Sequence, residues 1–159
     1  MTTQKYSLVE RLLVETTSPL DSFQTTLASS VTTSFDDGYA TRYVLDHEGC
    51  FTILEIHIDE PTSSQAWVNS LHTTNRQGIP DPQCYRKGYA SEMMTRLVDA
   101  ADQHGITLEL IAAPPPHMKR QDPTLPDKDE LARFYAKHGF KTTKSNFAQV
   151  YMQRDPSVS

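Results

Sequence analysis

The chain has 159 residues, 37% of them hydrophobic, which suits one domain with a core of ordinary size and leaves no room for a second. Its 20 Asp and Glu against 15 Lys and Arg give a net charge of −5, which argues against broad nucleic-acid or anionic-membrane binding and fits a cationic partner such as an amine. Cys50 and Cys84 are too few for a disulfide framework and belong to no metal-ligand pair, so both read as free thiols; the six histidines are scattered without ligand spacing, and no metal site is expected.

The apolar letters from Leu8 to Val14 are broken by Glu10 and Arg11, so they form no signal-peptide core, and no run approaches the roughly 18 apolar residues of a membrane span. The expected location is cytoplasmic. Within the first fifteen residues, Tyr6, Leu8, Leu12 and Val14 partly alternate as in a strand, while Ser7 and Glu10 fit a helix capping box; the strand is the reading carried forward. Ser18 and Pro19 read as N-cap and first residue of a helix whose apolar face is Leu20, Phe23, Leu27 and Val31.

From Tyr39 the period becomes two. Tyr39 to Asp46, a turn at His47-Glu48-Gly49, and Cys50 to Asp59 predict a hairpin, with Leu54, Ile56 and Ile58 on one face and Phe51, Ile53, Glu55 and His57 on the other. Ala66 to Thr73 is a further strand. A polar loop then leads to Asp81-Pro-Gln-Cys-Tyr-Arg-Lys-Gly-Tyr-Ala-Ser91, and a helix starts at once, with Met93, Met94, Leu97, Val98 and Ala101 at spacings of three and four and Gly105 as its stop. Ile106 to Ala113 is a short strand ended by Pro114-Pro115-Pro116, and His117 to Lys128 a polar loop. A helix opens at Asp129-Glu130 with Leu131, Phe134 and Tyr135 inward and Gly139 as its cap; Phe140 to Lys144 and Phe147 to Gln153 are the last strands. Residues 1–156 read as one domain and 157–159 as a frayed tail. Strand–helix–strand crossovers beside a run of hairpins imply an α/β (α+β) mixed sheet with helices on its faces.

The loop ahead of the second helix has a chemistry of its own. Amides of a first helical turn lack intrahelical acceptors, and the peptide dipoles leave that end partly positive, so phosphate fits there. Gly88 and Ala90 keep the approach open, and Arg86 and Lys87 add positive charge. With no further information the same stretch is also a plain tight turn. Downstream, Phe134-Tyr135-Ala136-Lys137-His138-Gly139-Phe140 is an amphipathic helix end with a glycine cap.

Taken in order over residues 39–154, these two motifs resemble the GNAT acyltransferases, whose pyrophosphate loop reads Q/R-x-x-G-x-G/A and whose later helix carries F/L-Y-x-x-x-G-F. Gly88 and Ala90 match the loop's last two positions, and Pro82 stands where many members have proline. Tyr85 departs from the usual Gln or Arg. The resemblance implies a mostly antiparallel sheet of six to seven strands with helices on both faces and a central parallel pair that splays apart. It implies acetyl-CoA as co-substrate, held by residues Tyr85, Arg86, Lys87, Gly88, Tyr89, Ala90 and Ser91, and transfer of the acetyl group to an amine by direct attack on the thioester. Tyr135 matches the tyrosine that protonates the leaving thiolate. An asparagine common seven residues earlier is replaced by Lys128.

The attacking amine must lose a proton, so a base is needed. Glu55 on its strand and His72 near the end of the next are the candidates, ahead of His57 and Glu109, with attack through bound water as the alternative. The acceptor is an amine-bearing small molecule or protein, and the oligomeric state is open, a homodimer included. A rival reading keeps the acyl-CoA fold as a non-catalytic regulatory module. An enzyme acetylating charged tRNA would call for a basic face, which a net charge of −5 does not supply.

Overall fold

The computed structural model describes residues 18–114 and 125–157. The strand expected in the first fifteen residues and most of the loop from His117 lie outside them. The described elements are α1 (Pro19–Ser30), β1 (Thr33–Asp36), β2 (Thr41–His47), β3 (Cys50–His57), β4 (Gln65–Asn75), α2 (Tyr89–His104), β5 (Thr107–Ala112), α3 (Lys128–Ala136), β6 (Lys141–Ser145) and β7 (Val150–Arg154). A single 3-10 turn, Pro82–Cys84, sits in the loop before α2. None of the described helices is long and apolar enough to cross a membrane.

Local chemistry sets the helix ends. The Ser18 hydroxyl accepts from the Asp21 amide and Pro19 opens α1, as their order in the sequence predicts. Asp127 does the same for α3, accepting from the Glu130 amide at 2.8 Å. Gly105 closes α2 in a left-handed conformation that returns its N–H to the Ala101 carbonyl.

The seven strands form one sheet in the order β1-β2-β3-β4-β5-β7-β6. It is antiparallel throughout except for β4 and β5, as the sequence reading expects. β1 escaped that reading because all its residues are exposed and it has no apolar alternation. Cross-strand pairing puts Tyr43, Leu54, Ile56, Val68, Leu110 and Met152 on one face, and all are buried. Both crossovers, through α2 and α3, step the same way across the sheet, so right-handed connections set both helices on that face. There α1 packs on α2. Among the described residues the helices lie on that face.

Arg154 locks the two crossover helices together. Its guanidinium makes a bidentate pair with Asp102 of α2, at 2.7 and 2.9 Å, and its Nε donates to the His138 carbonyl just after α3. Gly139 has φ +92°, and a Cβ there would stand 2.9 Å from Arg154 Nε, so backbone and guanidinium meet only over a glycine. The Ser157 amide also donates to Asp102, which ties the chain down to that point.

The Arg154 pairing gives a pH signature. The Arg154 hydrogen bonds hold the Asp102 carboxyl below the usual carboxylate range, burial opposes them, and the Ser157 amide adds to the lowering. A carboxyl depressed in the folded state contributes stability above its unfolded pKa, near 4, and loses it as pH falls through the folded value. Asp102→Asn should accordingly flatten the acid limb of the stability profile below about pH 4. Arg154→Met should cost roughly 2–4 kcal/mol in urea unfolding at pH 7, less than a fully buried pair because Asp102 is partly exposed.

Candidate functional site

The site is built around the place where β4 and β5 part. They pair in parallel only from Gln65↔Thr107 to Val68↔Leu110. β4 then continues to Asn75 paired with β3 alone, and β5 to Ala112 paired with β7 alone, so a wedge opens between them with its mouth at their carboxyl ends. At its apex β4 is irregular: Ile56 faces Val68 and Glu55 faces Ser70, leaving Asn69 opposite no residue of β3. A bulge of this kind re-aims backbone groups that a regular ladder would use.

The chain leaves β4 at the mouth and returns as the amino end of α2. Gly88 is the N-cap, with φ +79°, and no side chain caps the helix. Arg86 is also left-handed, at φ +57°. Among the described residues the backbone amides from Arg86 to Ser91 make no hydrogen bond, and a Cβ on Gly88 would meet nothing within 4 Å, so the helix end is open at Gly88. The Tyr85 amide, by contrast, donates to the Pro82 carbonyl, so it drops out of the expected backbone cradle. Arg86 and Lys87 are exposed beside it. Glu92 in the first turn is paired with Arg96 at 2.9 Å, and His47 Nε2 lies 3.7 Å from its other carboxylate oxygen. The Tyr89 ring stacks on His47, centroids 4.1 Å apart, which turns that side chain toward the β2–β3 hairpin.

Cys50 and Cys84 are not free thiols. They form a disulfide, Cα atoms 5.7 Å apart, across a sequence separation of 34. Cys50 pairs with Asn75 at the end of β4, and the loop folds back from there, so chain geometry brings the cysteines together where sequence spacing carried no sign of it.

Tyr135 projects from the last turn of α3, 7% exposed, with Phe134 and Phe140 packed edge-on against it. The carboxyl end of α3 is held by Arg154, which faces Leu108 in the paired part of β5, so Tyr135 lies toward the wedge apex rather than its mouth. Burial alone pushes its pKa up to about 12.

The two candidate bases share the open face of the sheet beside the bulge. Glu55 faces Ser70, and His72, two residues on along β4, faces Ile53. The Glu55 carboxylate is engaged on both oxygens, by Arg42 Nε at 3.2 Å and by Asn69 Nδ2 at 3.4 Å. Burial holds His72 below the usual imidazole range, the Glu55 charge pulls the other way, and Arg42 adds to the lowering. His72 is thus neutral at pH 7 and able to accept a proton. His57 is committed elsewhere: it bonds the Tyr39 carbonyl at 2.7 Å and Asp59 at 2.6 Å, and the former leads in raising its pKa. Glu109 faces Trp67 in the closed part of the wedge.

Comparison of the sequence with protein-family models and with curated proteins finds no match. Among solved structures the chain is similar to an acetyltransferase from Thermus thermophilus, at 14% identity over 87% of this chain and 92% of that one, with a TM-score of 0.45.

The arrangement can seat an elongated anion-bearing ligand, its phosphates on the α2 amides and its thin arm in the wedge, with unpaired strand backbone along that arm. Three participants were not visible in the sequence. The Asn69 bulge depends on pairing with β3, Arg42 reaches Glu55 only across two strands, and His47 arrives under α2 from a distant hairpin.

Proposed function

We propose that the protein is an acyltransferase of the GNAT type, moving an acetyl group from acetyl-CoA to a primary amine. The observation that carries the reading is the wedge between β4 and β5 with the uncapped amino end of α2 at its mouth, where pantetheine and pyrophosphate would lie. The motif resemblance supports the same assignment.

Arg86 to Ser91 would hold the pyrophosphate, chiefly by backbone amides, with Arg86 and Lys87 adding charge. The thioester would then lie at the apex, where backbone N–H groups at the Asn69 bulge would donate to the carbonyl oxygen as it gains charge. His72 takes the proton of the attacking amine. Glu55 is reassigned from base to partner: fixed by Arg42 and Asn69, its carboxylate supplies negative charge beside His72. Tyr135 donates to the leaving thiolate. The acceptor enters over the open sheet face, and cytoplasmic residence is part of the proposal.

Calorimetry with acetyl-CoA, followed by an amine panel scored by CoA release, tests the reading; absence of acetyl-CoA binding would sink it. Gly88→Asn tolerates the left-handed backbone while placing bulk over the amides. It should weaken acetyl-CoA about tenfold or more, the worth of one hydrogen bond to a charged group. Undiminished affinity would remove the loop from the site. A non-catalytic acyl-CoA-binding module is the second reading, favoured by the engagement of both Glu55 oxygens; binding without CoA release for any amine would select it.

A further inference from the structure

The disulfide joins the candidate anion loop to the sheet at one point. Cys84 ends the 3-10 turn directly before Tyr85, and Cys50 opens β3 at the end of the β2–β3 hairpin. Loop backbone bonds close within the segment: Gly78 to Asn75, Cys84 to Asp81 and Tyr85 to Pro82. The same hairpin end touches α2 a second time, because His47, which pairs with Cys50, stacks on Tyr89 and faces Glu92. One hairpin therefore braces both halves of the loop-to-helix junction, and only the Cys84 arm can be made and broken chemically.

We propose that Cys50–Cys84 is a thiol–disulfide exchange site whose oxidation state sets acyl-CoA affinity, a proposal that rests on the acyl-CoA reading above. The reductant is a dithiol. One of its thiolates attacks Cys50 Sγ, since Cys50 is half-buried while Cys84 is only 4% exposed. The Cys50–Cys84 bond breaks, a mixed disulfide forms on Cys50, and Cys84 leaves as a thiolate that takes a proton. The second reductant thiolate then attacks the reductant sulfur of the mixed disulfide, releasing Cys50. The protein gains two electrons and two protons, and the reductant ends as its own disulfide. Freed at Cys84, the loop spends less time with its amides converged on the phosphates, and affinity falls with the population of the competent conformation.

The test compares the full chain, oxidised and after dithiothreitol treatment, by acetyl-CoA calorimetry and hydrogen exchange; acetyl-CoA carries no free thiol to perturb the bond. Oxidised protein should bind at least tenfold more tightly, with faster exchange on reduction at the hydrogen-bonded loop amides of Gln83, Cys84 and Tyr85. Equal affinity in the two states overturns the proposal, as does unchanged exchange at those three amides. Failure of both forms to bind acetyl-CoA removes the acyl-CoA reading itself. Because Cys50 and Cys84 are the only cysteines, the Cys50→Ser/Cys84→Ser variant should match the reduced state and ignore dithiothreitol. A persisting response in that variant places the effect elsewhere and overturns the assignment.

Discussion

Replacing Tyr135 with phenylalanine should lower kcat by about 10²–10³, a barrier increase of roughly 3–4 kcal/mol, with acetyl-CoA affinity nearly unchanged. The ring survives the substitution, so its edge-on packing against Phe134 and Phe140 is retained and the fold is preserved. What is lost is the hydroxyl. With a pKa pushed up to about 12, the phenol stays protonated across any assay range. That value lies well above a thiol's, near 8.5, so outright transfer of the proton to the thiolate runs uphill. In the proposed reaction the group would therefore act chiefly by donating a hydrogen bond to sulfur as negative charge builds there, and the expected loss is that of one preorganised donor. Steady-state kinetics with an accepted amine supply the check; an unchanged kcat removes Tyr135 from the mechanism.

Loss of the disulfide should produce the largest change in stability. Closing a loop across a separation of 34 residues restricts the unfolded chain by roughly 3–4 kcal/mol on the loop-entropy estimate. Cys50→Ser/Cys84→Ser should accordingly show that decrease in urea unfolding under oxidising conditions, and a melting temperature lower by on the order of 10 °C. A domain with an ordinary stability of about 5–15 kcal/mol remains folded after such a loss, which lets its ligand binding be measured. A decrease under about 1 kcal/mol would mean that the unfolded chain gains little freedom when the bond is absent.

Most of the fold was legible because its elements are locally consistent. Ser18-Pro19 marks a helix start, Leu20, Phe23 and Leu27 mark its buried face, and the run from Met93 to Ala101 marks α2. The loop that runs into α2 was legible for the same reason, since Gly88 and the helix after it are neighbours in sequence. What stayed hidden depends on distant partners. Cys84 meets Cys50 only once β4 has returned beside β3, and nothing in the spacing of the cysteines announces it. The engagement of Glu55 comes from Arg42 and Asn69 on two other strands, so residue type alone offered it as a free base. β1 was missed because an exposed edge strand needs no apolar pattern to pair.

The extra residue at Asn69 also reverses parity along β4. Ahead of it the even-numbered Ala66 and Val68 are buried under the helices; beyond it the odd-numbered Leu71 packs against that same core, and His72 falls on the open side. In an unbroken strand His72 would share a face with Val68 and point into the helical layer. Deleting Asn69 should therefore leave that pattern in place: Val68 and Ser70 become neighbours opposite Ile56 and Glu55, Leu71 stays on the core side and His72 on the open side, and what disappears is the bulge with its unpaired backbone.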